Sequence, residues 1–345
     1  MKMYINGIGC VAPQETKTKP LFSNLIEEEV LQLTIIKPNY KEYISPVKSR
    51  RMGKAIKMGI VACTDALKEA QLEIPDAIIA GTGMGCQEDS EKFLEAVIKD
   101  SEQFLTPTSF IQSTHNTVAG SVALMLKCRA YNFTYCHRGF SFENALVDAE
   151  LTFSENKAEN ILAFGIDEIT EHTRKTFQRA GWNVNVETNP VKMLNGENKG
   201  SVYGEGTASF VLSKNKLETT YGSLEKVDML YKPSSEEVKN KLSEIAKENS
   251  VDLVLVGYSG DPQFDQHYPK MESLFPEAAI GGFKHLVGEY HTVSSFALWL
   301  SCQVLKGQEL PETVQLSGPS KKEFKSILIY NHYNNLDHSF ILVNK

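Results

Sequence analysis

Ala77-Ile78-Ile79-Ala80-Gly81-Thr82-Gly83-Met84-Gly85 is a run of four apolar residues with no polar alternation, closed by a glycine-rich turn. A strand with one wet face alternates apolar and polar side chains. A run without alternation is buried on both faces and needs helices on either side of its sheet. Ile161-Leu162-Ala163-Phe164-Gly165 and Leu253-Val254-Leu255-Val256-Gly257 have the same form. Between Arg51 and Ala70 the residues Met52, Ala55, Ile56, Gly59, Ile60, Cys63, Ala66 and Leu67 recur at helical spacing. Strands are expected over Met3–Gly9, Tyr131–Cys136 and Gly206–Leu212, and helices over Asn116–Lys127 and Phe140–Phe153. Residues 14–50, broken by Pro20, Pro38 and Pro46, read as irregular. After a polar stretch near 214–222 the rhythm returns: strand Leu224–Leu230, helix Ser235–Glu248, helix Thr292–Leu305, strands Ser326–Tyr330 and Ser339–Val343. Strand and helix alternate twice over, so the class is α/β with helix-covered sheets and two halves of similar plan.

Composition narrows the function classes. The 345 residues are 41% apolar and 23% charged, ordinary for a globular protein. Lys plus Arg is 36 against 43 Asp plus Glu, a net charge of −7, which argues against a nucleic-acid partner. No apolar run approaches the ~18–20 residues that cross a bilayer, and the start lacks a secretory signal. A soluble, cytoplasmic protein with no membrane partner is expected. The six cysteines (10, 63, 86, 128, 136 and 302) form no Cys-x-x-Cys pair, so neither a disulfide framework nor a zinc site is indicated.

Common site motifs fail on context. Gly7-Ile8-Gly9-Cys10-Val11-Ala12 imitates a dinucleotide fingerprint, but Pro13 and a polar run follow it instead of a helix. Gly81–Gly85 is not followed by the Gly-Lys-Ser/Thr of a phosphate loop, and neither Gly-x-Ser-x-Gly nor His-Glu-x-x-His occurs. What remains is Tyr131-Asn132-Phe133-Thr134-Tyr135-Cys136-His137-Arg138-Gly139, with a thiol expected where a buried strand ends and a helix begins. A helix N-terminus carries about half a positive charge and favours thiolate. From position alone, Cys136 is as well read as a buried structural cysteine as it is read as a nucleophile.

The order of segments resembles the β-ketoacyl-acyl-carrier-protein synthases of the thiolase superfamily. Ile5–Pro13 is similar to their first strand and turn, Ser49–Gly53 to the segment before their first long helix, and Pro107–Gly120 to the helix preceding the nucleophile. Val202-Tyr203-Gly204-Glu205-Gly206-Thr207-Ala208 resembles their Gly-Glu-Gly-Ala strand, the most specific match. Lys284-His285-Leu286-Val287-Gly288 resembles the Gly-His-Leu-x-Gly segment that holds one catalytic histidine. The matches span nearly the whole chain, which is shorter than usual for the family. The resemblance implies a thiolase-like five-layer αβαβα fold of two similar halves, 1–214 with the nucleophile and 215–345 with the catalytic-type histidine. It implies no cofactor or metal, an acyl-carrier-protein partner, and a homodimer or a heterodimer with another ketosynthase.

The family reaction passes an acyl group from a carrier-protein thioester to a Cys thiolate. Malonyl-carrier protein is then decarboxylated, and the carbanion attacks the acyl-enzyme, usually with two imidazoles stabilising the enolate. By resemblance Cys136 falls on the nucleophile and His285 on one histidine, so the two are expected to meet at the floor of an acyl pocket. The chain departs elsewhere. Asn-Ala-His-Gly-Thr becomes Leu255-Val256-Gly257-Tyr258-Ser259, putting Gly257 in the second histidine's place, and the glycine-rich C-terminal gate becomes His332-Tyr333-Asn334-Asn335. His332 and Tyr333 are the candidate supporting residues; His115, His172, His291 and His338 read as ordinary histidines. Gly204, Glu205 and Gly206 read as structural. These departures point to a partner subunit resembling a chain-length factor in a type II fatty-acid or polyketide system. The alternative is a self-sufficient condensing enzyme or acyltransferase using Cys136 and His285.

Overall fold

Among the described residues, thirteen strands carry the architecture: β1 (Met3–Val11), β2 (Gln32–Leu33), β3 (Ala77–Gly81), β4 (Tyr131–Tyr135), β5 (Asn160–Asp167), β6 (Tyr203–Gly204), β7 (Gly206–Ser213), β8 (Gly222–Tyr231), β9 (Leu253–Val256), β10 (Ala279–Gly282), β11 (Gln315–Ser317), β12 (Ser326–Tyr333) and β13 (Asp337–Asn344). The computed structural model describes all residues except 18–19, 23–24, 26–27, 104 and 196–198, so parts of the stretch read as irregular lie outside the described residues.

Eleven strands form one mixed sheet in the order β11-β10-β9-β12-β13-β8-β1-β7-β5-β3-β4. From β1 outward, the first half runs first, fifth, fourth, second, third among β1, β3, β4, β5 and β7. From β8 outward, the second half runs in the same order among β8, β9, β10, β12 and β13. Met3–Ile5 of β1 pairs with Gly222–Leu224 of β8 and joins the two sets. The repeated topology is the reason strand and helix alternate twice along the sequence.

Alternate residues of each apolar strand enter different cores, which explains the missing polar alternation. Ala77 and Ile79 face a central core, while Ile78 and Ala80 face an outer one built on the Lys54–Glu69 and Thr117–Leu126 helices. Leu253 and Leu255 face the central core, and Val254 and Val256 a second outer core with the Ser235–Glu248 helix. The central core holds the Ser141–Ser154 and Ser294–Leu305 helices, the latter apolar nearly all round as a helix buried between the two strand sets must be. With each strand set as one layer of the continuous sheet, helix, strands, helix, strands, helix is the five-layer thiolase-like arrangement. No helix among the described residues is long and apolar enough to cross a membrane.

β4 is different. It lies at the edge of the sheet and is not the buried strand its neighbours are: Tyr131 is 47% and Phe133 45% exposed.

Candidate functional site

The turn after β3 is the centre of the site. Parallel pairing sets Gly81 opposite Tyr135 and Gly165, so β3, β4 and β5 end together. Cys136 follows β4 and donates its thiol hydrogen to the Gly83 carbonyl at 3.2 Å. Asp167, the last residue of β5, ties this turn to the other half. Its Oδ1 accepts from Thr82 Oγ1, Gly83 N and Met84 N at 3.1, 2.8 and 3.3 Å, and its Oδ2 from Thr292 N and Oγ1 at 2.9 and 2.8 Å. His291, next to Thr292, lies directly on Gly83, where a β-carbon would come within 2.2 Å of its ring Cγ. Tyr333 packs against His291 with ring centroids 4.5 Å apart and the planes tilted by 32°. On the far side of the thiol, Gly139 donates its N–H to Asp337 Oδ2 at 3.2 Å, and a β-carbon there would meet Tyr333 at 2.6 Å. Cys136, His291, Asp167, Tyr333 and Asp337 thus gather around two glycines whose lack of a side chain permits the approach.

Cys136 stands two residues ahead of the Arg138–Phe140 turn, which runs directly into the Ser141–Ser154 helix. Partial burial and the Asp167 carboxylate push the thiol pKa up from its ordinary value. Burial also lowers the His291 pKa, outweighing Asp167 and Asp337. Both shifts favour the uncharged forms of the thiol and the imidazole.

His285 is elsewhere. It sits in the short Lys284–Val287 helix, 3% exposed, and burial lowers its pKa to about 4. Neither ring nitrogen makes a well-formed hydrogen bond, and Nδ1 lies 3.6 Å from where a Gly282 β-carbon would stand. No hydrogen bond or ring contact among the described residues joins His285 to Cys136. Its neighbour Lys284 points into the space beside Gly257: a β-carbon at Gly257 would lie 2.2 Å from Asn331 Oδ1, 2.9 Å from the Tyr268 hydroxyl and 3.1 Å from Lys284 Cε. The Lys284 ammonium pairs with Glu289 and donates to the His332 carbonyl at 3.1 Å.

Of the two supporting candidates, Tyr333 reaches the thiol loop and His332 faces away, as consecutive residues of a strand must. The His332 ring stacks on Tyr268 at 4.1 Å and neighbours His338 at 5.0 Å. The gate does not lose its tight turn, contrary to what the lost glycines suggest. Asn334 and Asn335 take φ of 51° and 53°, the left-handed region that asparagine tolerates best after glycine, and close the β12–β13 hairpin. In the Gly204-Glu205-Gly206 motif, a β-carbon at Gly204 would fall 1.8 Å from the Val287 carbonyl. The buried Glu205 carboxylate accepts from Ile35 N at 3.2 Å and Ile169 N at 3.0 Å and pairs with Lys54.

Sequence reasoning missed His291, Asp167 and Lys284. Asp167 carried a signal, an acid two residues beyond an all-apolar strand; His291 and Lys284 carried none apart from sharing a segment with His285. Beside the site, Met84, Asp167 and His291 line a cavity of only about 10 Å³ that Phe177, Tyr203 and Tyr290 crowd.

Residues 38–217 match the family model of the β-ketoacyl synthase N-terminal domain. A search of curated proteins finds no match. Among solved structures, a β-ketoacyl synthase from Burkholderia phymatum is similar at 16% identity and a TM-score of 0.78, over 100% of this chain and 99% of that one. The ishigamide ketosynthase/chain length factor is similar at 12% identity and 0.76, over 100% and 99%. A type II polyketide-synthase ketosynthase structure, in complex with its acyl-carrier protein, is similar at 15% identity and 0.76, over 99% of each chain.

Proposed function

Because the chain belongs to the β-ketoacyl synthase family, we propose that it is a non-condensing subunit of a type II fatty-acid or polyketide system, working in the cytoplasm beside a competent ketosynthase and docking acyl-carrier protein. The observation that carries this reading is the space at Gly257. Decarboxylative condensation relies on two imidazoles there, and each acid–base or oxyanion partner is worth roughly 10²–10⁴-fold. Gly257 supplies no imidazole, its surroundings are filled by Asn331, Tyr268 and Lys284, and His285 is sealed away. The neutral Cys136 thiol and the small cavity beside it agree with that loss.

The partnership is supported by the surface. Along edge strand β4, Tyr131, Phe133 and Tyr135 form a continuous aromatic ladder, with centroids 6.2 and 4.9 Å apart, next to Leu124, which is 83% exposed. An exposed, apolar edge strand is a template for pairing with another sheet. We assign it to a second ketosynthase-fold chain, extending the sheet across the interface. In this reading residues 1–214 carry the thiol and the pairing edge, and residues 215–345 the filled histidine position.

The test is malonyl-carrier-protein decarboxylation by this chain alone and with a candidate ketosynthase. The expected result is no carbon dioxide from the chain alone, and co-purification with a ketosynthase whose product it changes. Carbon dioxide released by the chain alone, and lost in Cys136→Ala, overturns the reading in favour of a self-sufficient enzyme.

A further inference from the structure

We propose that the β12–β13 hairpin is an acid-released latch on the Cys136 loop: protonation of His332 and His338 frees the hairpin tip, and with it Tyr333 and Asp337, from that loop. The proposal is independent of whether the chain condenses. Both imidazoles hold one residue of the turn, Asn335, whose φ of 53° lies in the left-handed region. His332 Nδ1 accepts from Asn335 N at 3.3 Å, and His338 Nε2 bonds Asn335 Oδ1 at 3.1 Å. An amide oxygen only accepts, so His338 donates from Nε2, and its Nδ1 takes the Tyr330 hydroxyl hydrogen at 3.0 Å. These partners therefore hold both rings in their neutral form. A neutral His332 that accepts at Nδ1 already carries its hydrogen on Nε2, so a second proton must go onto Nδ1. It would face the Asn335 N–H, and the bond that closes the turn would be lost.

The surroundings do not offset the added charge. His332 and His338 are both buried, with ring centroids 5.0 Å apart. Facing them are the Lys284 ammonium from the Lys284–Val287 helix, His267 and Tyr268 from the segment after the Pro262–Asp265 helix, and Tyr330 from β12. The carboxylates around this cluster are committed elsewhere. Glu289 pairs with Lys284, and Asp265 accepts from Ser259 N, Ser259 Oγ and Gly260 N. Asp337, next to His338 on β13, points the other way, to Gly139 and Arg138. Burial, together with Lys284 and the neighbouring imidazoles, lowers the His332 pKa well below its ordinary value, and burial lowers that of His338 to about 4. Rings released to water return to about 6.5. The open hairpin then binds protons that the closed one does not, so opening is favoured as pH falls from about 6.5 toward 4. Opening withdraws Asp337 from the Gly139 N–H and Tyr333 from His291, the contacts by which the hairpin bears on the thiol loop.

The experiment measures amide hydrogen exchange of the full chain by mass spectrometry at pH 7.5 and pH 5.5, each rate divided by the intrinsic chemical rate at that pH. Over this interval a ring that titrates at about 6.5 when open and about 4 when closed raises the opening constant about 10-fold, so two should raise it about 10²-fold. Protection in β12 and β13 should fall by that factor, and the peptide holding the Gly139 N–H should follow it, while β5 stays protected. His332→Gln keeps an acceptor for Asn335 N but cannot take a proton, and should reduce the pH effect to about 10-fold; His338→Gln should do the same. The double variant should remove the effect, and His285→Gln, which lies outside the cluster, should leave it whole. Hairpin protection that ignores pH, a loss shared equally by β5, a Gly139 amide that stays protected while the hairpin opens, or single variants that keep the full effect overturns the proposal. None of these results bears on carbon dioxide release, so the non-condensing reading stands or falls separately.

Discussion

Gly257→His would put back the histidine that the family places there, and the structure predicts a less stable protein with no gain of condensation. The β-carbon alone would stand 2.2 Å from Asn331 Oδ1. That oxygen has no hydrogen-bond partner, so Asn331 can rotate at modest cost, and Gly257→Ala should lose about 1–2 kcal/mol. The imidazole needs more room. It must displace the Tyr268 hydroxyl, which donates to Gly257 O at 2.9 Å and accepts from His332 N at 3.1 Å, and push Lys284 from its acceptors. Overpacking costs about 1–3 kcal/mol and each lost hydrogen bond about 1 kcal/mol, for a total of roughly 3–5 kcal/mol. At a few degrees per kcal/mol, the melting temperature should fall by on the order of 10 °C. Thermal melting followed by circular dichroism, with malonyl-carrier-protein decarboxylation on the same samples, checks both halves. A Gly257→His variant that melts with wild type and releases carbon dioxide would refute the reasoning, since the space would then be available and the missing imidazole the only defect.

Three further predictions follow from buried and edge residues. Burial pushes the Glu143 carboxyl up to about 7, so the folded chain holds a proton that the unfolded chain releases from about pH 4.3, and this group makes stability fall as pH rises between the two. Glu143→Gln should remove that slope and be more stable than wild type above pH 7, by on the order of 3 kcal/mol; urea midpoints at pH 5 and pH 8 that shift equally would contradict it. Glu205→Ala strips an acceptor from Ile35 N, Ile169 N and the Lys54 ammonium, and should cost about 3–5 kcal/mol by denaturant unfolding; a loss under 1 kcal/mol would show the carboxylate is not needed. Phe133→Asp on β4 should leave the melting of this chain nearly unchanged yet abolish its co-purification with the ketosynthase partner, and an unaltered complex would remove β4 from the interface.

Most of the fold was legible because its signal is periodicity. Ser235–Glu248 and Leu253–Val256 match the expected bounds, and the helices expected over Asn116–Lys127 and Phe140–Phe153 are Thr117–Leu126 and Ser141–Ser154. Two elements went unread. The Gln87–Lys99 helix has apolar Phe93, Leu94, Val97 and Ile98 at helical spacing yet buries only Asp89, and β10 is two glycines beside Ala279 and Ile280, ordered by parallel pairing with β9. The reading of β4 as buried failed for a related reason: Tyr131, Phe133 and Tyr135 are apolar enough for a core, and nothing in their spacing reveals that no neighbour covers them.

Part of the site was legible to within one residue. At Lys284-His285 motif position selects the histidine, and at His332-Tyr333 both residues are candidates; in each pair it is the residue beside the histidine that faces the contested space. For the second pair the reason is strand alternation, with His332 stacked on Tyr268 and Tyr333 turned toward His291. For the first, the reason is the unequal cost of burial. A histidine can lose its proton and enter an apolar pocket as a neutral ring, and His285 does so, with its pKa lowered to about 4. A lysine ammonium buried without acceptors would cost several kcal/mol, so Lys284 has to turn toward Glu289 and the His332 carbonyl. Those acceptors lie beside Gly257, in the space a second histidine would use. The loss at position 257 and the lysine at 284 are therefore linked: with glycine at 257 the lysine side chain fits, and with the lysine in place an imidazole at 257 meets occupied space.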